Sequence, residues 1–261
     1  ITNDVSLITF VPFAILTLKM AGRSDEMIFV VVMQTIAANL GSMFTPIGNP
    51  QNLYLYNLTG MSLGGFLAYM GPYTLISGVI LAAFLVFRKS GKDKVIFSLP
   101  VQKRERGTLD HLKFVIYVIL FLLSLLVVAR VLSYALVWCI VFFIVWITDR
   151  NALKNVDYCL LFTFAFFFIF IGNMERIPLV NEFLENIVAG HELAAGILAS
   201  QFISNVPAAL LISGFTSDYG RLLLGVNFGG LGTLIASMAS LISYKLFVNA
   251  DKERKQKYFL S

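Results

Sequence analysis

The sequence predicts an all-α membrane protein, an inverted-repeat fold with re-entrant hairpins and broken transmembrane helices. Three observations predict it. Of the 261 residues, 58% are hydrophobic and only 13% are charged, whereas a soluble domain carries roughly 25% charge because its surface faces water. The apolar residues are gathered into runs close to the length, about 20 residues, that crosses a bilayer as a helix. Two of these runs are interrupted by small and polar residues in the same order, at one constant offset. The net charge of +5 does not point to nucleic acid, because the Lys and Arg residues sit between apolar runs, as they do in loops on the inner face of a membrane.

Taken in order, residues 5–18 form a short apolar segment after a polar start, and 27–55 a long interrupted one. Residues 64–87 form a clean span that stops at Arg88-Lys89. Residues 88–111, with Gly91, Pro100 and many basic side chains, read as a loop. Residues 112–130 and 133–148 form two spans with almost no connector, and 149–157 a polar turn. A Phe-rich run follows at 158–171. Residues 177–190 are amphipathic, with Glu182 and Glu185 opposite Leu179, Phe183 and Ile187. Residues 193–216 are apolar but broken at Ser204-Asn205-Val206-Pro207. Residues 219–247 are long and again interrupted, and a charged tail closes the chain. Cys139 and Cys159 lie singly in apolar runs and form no disulfide or metal pattern.

The basic loop at 88–113 and the tail at 249–261 belong on the cytoplasmic side, and the uncharged connector at 57–63 on the other. Threading the spans between these points leaves 177–216 leaving from and returning to the outer face. It is too apolar for a surface loop, so it is expected to re-enter the membrane and turn near Asn205. Irregular backbone at that depth requires surrounding protein or a water-filled cavity.

The interruptions repeat. Asn39, Gly41, Thr45, Ile47, Leu53 and Tyr56 match Asn227, Gly229, Thr233, Ile235, Leu241 and Tyr244, each pair 188 residues apart. Upstream of each copy stands a hydroxyl-Asn pair, Thr2-Asn3 or Ser204-Asn205, followed by apolar helix. By the threading the first copy runs outward and the second inward. Inverted repeats with discontinuous helices are a plan of secondary transporters, with the site where the helices break. In the first break Pro46 and Pro50 remove donors and clash with earlier carbonyls, and Gly48 adds backbone freedom. The freed carbonyls can hold a cation; a plain proline kink is the alternative. The second break has Gly229, Gly230 and Gly232 and no proline, and close helix packing is its alternative. Asp4 stands beside the first tip. An ionised carboxylate at membrane depth costs roughly 2.5–3.5 kcal/mol and so marks a functional group more often than not. Its alternative is a cap on the helix that follows.

The hydroxyl-Asn tips, the break Thr45-Pro46-Ile47-Gly48-Asn49-Pro50-Gln51-Asn52 and the inverted order resemble the ion transporter superfamily over essentially the whole chain. Its members include citrate-transporter-like proteins, divalent anion–sodium symporters, arsenite efflux membrane subunits and some sodium–proton antiporters. The resemblance implies a carrier that moves a small anion, a citrate-like carboxylate or another oxyanion, coupled to sodium or protons. Arsenite efflux and sodium–proton antiport are the alternatives within it. Carried over by position, it implies substrate contacts from Thr2, Asn3, Ser204 and Asn205, and coupling-ion sites at Thr45, Gly48, Asn49, Thr233 and Ala236, joined by Asp4. Sodium would be held at Asn3, Thr45, Gly48, Asn205 and Thr233. The chain differs from the symporter pattern at Asp4, at Val206-Pro207 and in its proline-free second break. Superfamily members are longer and have helices before the first tip, so a protein is expected of which this chain is the later two thirds.

The expected organisation is 1–87, the end of the first repeat; 88–113, a basic cytoplasmic loop; 114–157, two connecting spans; 158–248, the second repeat; and 249–261, a cytoplasmic tail. The expected location is a prokaryotic plasma membrane. The expected partners are the bilayer, a small solute or ion and, in one alternative, a second copy in a homodimer; no nucleic acid and no cofactor is expected beyond sodium. An intramembrane enzyme would need convergent nucleophile and base or metal ligands. The two histidines, His111 and His191, sit in a loop and at a turn, and no zinc-protease or phosphate-loop pattern occurs. A passive channel would need no inverted repeat.

Overall fold

The computed structural model describes residues 2–88, 108–156, 158–174 and 176–259. The described residues form fourteen α-helices, two short 3-10 turns and no strand. In chain order the helices are α1 (Asn3–Met20), α2 (Met27–Ser42), α3 (Pro50–Thr59), α4 (Leu63–Phe87), α5 (Thr108–Val128), α6 (Tyr134–Thr148), α7 (Arg150–Lys154), α8 (Tyr158–Met174), α9 (Pro178–Val188), α10 (Glu192–Ile203), α11 (Asn205–Ser213), α12 (Tyr219–Gly229), α13 (Met238–Ala250) and α14 (Lys255–Phe259). Most of the basic loop, residues 89–107, lies outside the described residues, as does the end of the tail.

Helices α1, α4 and the 111–128 part of α5 are each long and apolar enough to cross a membrane. Most of their side chains are not buried. On α4, Leu75, Val79, Val86 and Phe87 are between 68% and 84% exposed. Water would penalise that surface, and hydrocarbon does not. The chain is an integral membrane protein.

Two compact units emerge, Ile1–Phe97 with Phe164–Ser261, and Ser98–Thr163. In the smaller unit α5 packs on α6, and Tyr117 donates to the Asp149 carboxylate at 3.1 Å. Residues 149–157, expected as a turn, contain a helical turn instead. Asp149 caps α7 by accepting from Ala152 N–H, because a carboxylate at an N-cap satisfies an otherwise orphaned donor.

The larger unit holds both broken spans. The first is α2 followed by α3, and the second is α12 followed by α13. None of the four halves exceeds 16 residues, too few to cross alone. Leu7, Val11 and Ile15 of α1 pack with Met27 and Val31 of α2 and with Ala239 and Phe247 of α13. Helix α11 packs in the same way on α12 and α3. Exchanging α1, α2 and α3 for α11, α12 and α13 therefore maps one set of neighbours onto the other. Preceding α11, α10 packs against α12. The hairpin break expected at 204–207 narrows to Ser204 alone, for the helix resumes at Asn205 and takes Pro207 into its first turn, where a proline costs no hydrogen bond. Helices α8 and α9, measured over Leu161–Met174 and Pro178–Val188, meet at 102°. Within the charged tail, Lys255–Phe259 forms α14.

Candidate functional site

The two breaks are built alike, bond for bond, at the separation of 188 residues. Gly48 N–H donates to Thr45 O at 3.1 Å, and Ala236 N–H to Thr233 O at 3.0 Å. Asn49 caps α3 by accepting from Asn52 N–H at 3.0 Å, and Ser237 caps α13 by accepting from Ser240 N–H at 3.1 Å. Leu53 N–H reaches Asn49 O and Leu241 N–H reaches Ser237 O, both at 3.3 Å. The breaks also bind each other reciprocally. Asn39 Nδ2 donates to Ser237 Oγ at 3.2 Å, and Asn49 Nδ2 donates to Asn227 Oδ1 at 3.1 Å. Residue i of one copy meeting j of the other, and j meeting i, is the contact pattern of a two-fold relation.

Around this pair of bonds lies a buried polar network. Asn39, Asn49, Asn52, Asn227 and Ser237 are at most 6% exposed. Asn227 Nδ2 donates to Asn52 Oδ1 at 2.7 Å and to Leu223 O at 2.7 Å. Asn49 Nδ2 also donates to Ser42 Oγ at 3.1 Å. Buried amides that each find partners hold a unique geometry, since losing one partner costs about 1–3 kcal/mol.

Each break has its own clamp. In the first, Asn52 Nδ2 lies 3.2–3.3 Å from the carbonyls of Ser42, Met43 and Thr45. Pro46 leaves Ser42 O without its helical donor, and a side chain of the next helix meets it. In the second, Gln201 of α10 donates to Gly229 O at 2.6 Å and accepts from Thr233 N–H at 2.9 Å. Glycine leaves room where the chain crowds these clamps. A Cβ at Gly48 would lie 1.8 Å from Ser42 O, and one at Gly232 would lie 1.8 Å from Gln201 Oε1.

Both tips arrive at the network. Thr2 Oγ1 accepts from Val5 N–H at 3.4 Å as the cap of α1. Asn3, 5% exposed, donates from Nδ2 to Asn39 Oδ1 at 3.1 Å. Asn39 in turn donates to Gly230 O at 3.4 Å. At the second tip Ser204 holds φ 72° and ψ 153°, a conformation side chains rarely adopt. Asn205, 4% exposed, donates its backbone N–H to Ala236 O at 2.9 Å. Its side-chain amide sits against Gly230, where a Cβ would be 2.9 Å from Nδ2. Asn3, Asn39, Gly230 and Asn205 are thus linked in one chain of contacts. Thr233 is exposed and turned to Gln201, its Oγ1 donating to Gln201 O at 3.1 Å.

Asp4 follows the first cap. Thr2 and Asn3 already serve the helix start, since Asn3 Oδ1 accepts from Asp4 N–H at 2.9 Å. The buried Asp4 Oδ1 takes no hydrogen bond. Gln51, 1% exposed, also has an unpartnered Oε1 on the first turn of α3. In the sequence Asn39 and Asn227 serve as repeat markers and Gln51 and Asn52 as part of the first break motif, but no contact in the site is assigned to any of them, nor to Gln201 or Ser237. The available signal was their spacing: a polar side chain at each helix end beside a break, where unsatisfied backbone groups accumulate.

The chemistry on offer is that of amides, hydroxyls and helix ends. The N-termini of α1, α3, α11 and α13 meet in this network, as do the C-termini of α2 and α12. The former carry partial positive charge and the latter partial negative charge.

Residues 1–219 match the profile of a family described as citrate transporter. An uncharacterized transporter of Methanocaldococcus jannaschii is 32% identical over 94% of this chain and 66% of its own length. The inner membrane protein YbiR of Escherichia coli is 29% identical over 94% of this chain and 65% of its own length. A 46 kDa membrane protein of Mycobacterium leprae is 23% identical over 84% and 60%. The chain therefore spans less than two thirds of the length of the curated relatives it matches. No solved structure matches. With a profile match over most of its length and a relative at 32% identity, the chain belongs to the citrate transporter family.

Proposed function

We propose that this chain belongs to a secondary active carrier that moves a small anion, a citrate-like carboxylate or another oxyanion, coupled to sodium or protons. The observation that supports this best is the meeting of four helix N-termini with two helix C-termini in one buried amide network. Helix N-termini stabilise an anion, and freed carbonyls at C-termini stabilise a cation. A site with both suits two ions of opposite charge bound together. Asn3 and Asn205, with Thr2 and Ser204, contact the anion. Thr45, Gly48, Asn49, Thr233 and Ala236 frame the cation positions through their backbone. The two copies run in opposite senses across the membrane, so rocking one against the other exposes the site to each face in turn.

Asp4 is assigned to the coupling cation. Its cap role is filled by Thr2 and Asn3, and its unpartnered oxygen calls for a cation or a proton. An anionic Asp4 repels a carboxylate, so the cation binds first. The same observation favours a second reading, sodium–proton antiport, in which Asp4 is the exchanging group. Flux by the full-length protein in liposomes separates them. Anion uptake that rises with a sodium or pH gradient supports the first reading, and sodium-dependent proton movement without anion supports the second. Asp4→Asn is expected to abolish the dependence on the coupling gradient. Unchanged transport with unchanged sodium and pH dependence would return Asp4 to a cap.

A further inference from the structure

Beyond α13 the chain turns back on itself. Lys19 Nζ donates to Ala250 O at 2.7 Å. Arg254 Nε donates to Asp251 Oδ2 at 2.6 Å, and Arg254 Nη1 donates to Ser24 O at 2.7 Å. Burial alone would raise the Asp251 carboxyl, but the bonds and charge of Arg254, with Lys19 beyond, hold it below its ordinary range. Past this turn, α14 presents Lys255 and Lys257 to the surroundings and a single buried side chain, Tyr258.

Tyr258 is 5% exposed. Its ring stacks on Phe247 with centroids 4.7 Å apart and an angle of 26°, and lies 5.7 Å from that of Tyr244. Its hydroxyl bonds with Thr35, and Thr35 Oγ1 donates to Ser243 Oγ at 2.7 Å. Tyr258 and Phe259 form one wall of a cavity of about 370 Å³; Thr35 and Ile36 of α2, Thr233 of the second break and Ser240 of α13 lie on the others. A helix of five residues has no stability of its own. Its place depends on one aromatic side chain and on surface anchors that water can replace. A segment with so few holding contacts opens locally at low cost.

We propose that residues 251–259 are a latch that closes access to the second break from the membrane face they occupy, with Tyr258 as the side chain that shuts it. This rests on the reading that the breaks form the transport site. With Tyr258 seated, α14 walls one side of the cavity beside Thr233, while Thr233 itself is exposed on another side. With Tyr258 withdrawn, the cavity opens to that face while the Arg254 turn still tethers the segment. The latch thus sets how often the site is open on that side.

The test is thiol accessibility in the full-length protein with Cys139 and Cys159 replaced by serine. Ile36→Cys places a single thiol on the cavity wall, and a membrane-impermeant reagent is added from the face carrying residues 251–259. Losing a stacked, buried aromatic pair shifts a two-state equilibrium by about tenfold, so Tyr258→Ala is expected to raise the labelling rate about tenfold. Tyr258→Phe keeps the ring and is expected to stay near the parent rate. Arg254→Gln, at the turn and away from the cavity, is expected to raise the rate and serves if Tyr258→Ala does not fold. Equal rates in the parent and in the folded variants would overturn the latch, as would faster labelling from the opposite face only. Flux measured in parallel keeps the two readings apart. Faster labelling in a protein that carries no solute leaves the latch and removes the transport reading. Unchanged labelling in a working carrier removes the latch alone.

Discussion

Gly48 and Ala236 occupy the same place in the two copies and face opposite demands. A Cβ at 48 would enter Ser42 O, a backbone atom that cannot step aside, whereas Ala236 is fully buried with its Cβ accommodated. Overpacking of this kind costs about 1–3 kcal/mol or more. Gly48→Ala should therefore lower the thermal midpoint in detergent sharply or abolish folded yield. Ala236→Gly should cost only about 1 kcal/mol, by loosening the chain. Similar losses from the two would mean that the breaks are not as unlike at this point as the geometry says. Ser204 offers the reverse case. Its φ of 72° stores about 1–3 kcal/mol of strain that glycine would not pay. Ser204→Gly should hold or raise the thermal midpoint, while transport reports whether the hydroxyl touches solute. A lower midpoint would show that the serine side chain makes a contact outweighing its strain.

At the level of elements, the breaks follow from local chemistry, and their closure does not. Proline and glycine stop α2 near Thr45, as their spacing implies. That Asn52 then reaches back to three carbonyls is set by the angle at which α3 leaves. The same holds for Gln201, which lies 28 residues from the glycine whose carbonyl it meets. Helix α4 supplies a test of the threading. It runs unbroken for 25 residues from Leu63 to Phe87, about 37 Å at 1.5 Å per residue, enough to cross the hydrocarbon. Single cysteines at Ser62 and Ser90, in a background free of Cys139 and Cys159, should react with an impermeant reagent from opposite faces. Reaction of both from one face would overturn the span and the orientation built on it.

On the scale of the whole larger unit, the reciprocal bonds make a quantitative claim. If the two copies are related by a pseudo-two-fold axis, the Asn39 to Ser237 bond and the Asn49 to Asn227 bond are one interaction seen twice. Double-mutant cycles on the two pairs, with alanine at each position, should give couplings of the same sign and of about 0.5–3 kcal/mol. Coupling in one pair and none in the other would break the equivalence. The copies are not identical, however. The first is stiffened by proline and clamped from its own second half, and the second is glycine-rich and clamped from α10. In the carrier proposed here, two halves of unequal stiffness around one site would give two end states of unequal energy, which a bound ion can rebalance.

Membrane class, the spans at 64–87 and 112–130, the places where helices break and the spacing of the repeat were legible in the residues, whereas the run at 5–18, read as short, forms a helix of crossing length and the expected span at 133–148 forms a helix of only 15 residues. Hydropathy, proline and glycine act on their own few neighbours, so they can be read without knowing what lies across the fold. Even the hydrogen bonds at the breaks recur at the separation that Asn39 and Asn227 announce. What the tertiary structure alone decided is partnership. An asparagine carries donors and an acceptor with no sign of which distant group will meet them. Asn39 finding Asn3 and Ser237, Asn49 finding Asn227, and Tyr258 returning to Thr35 depend on how α1, α2, α12, α13 and α14 pack. Burial then enforces those choices, because an amide left without a partner in such an interior costs more than the packing around it can return.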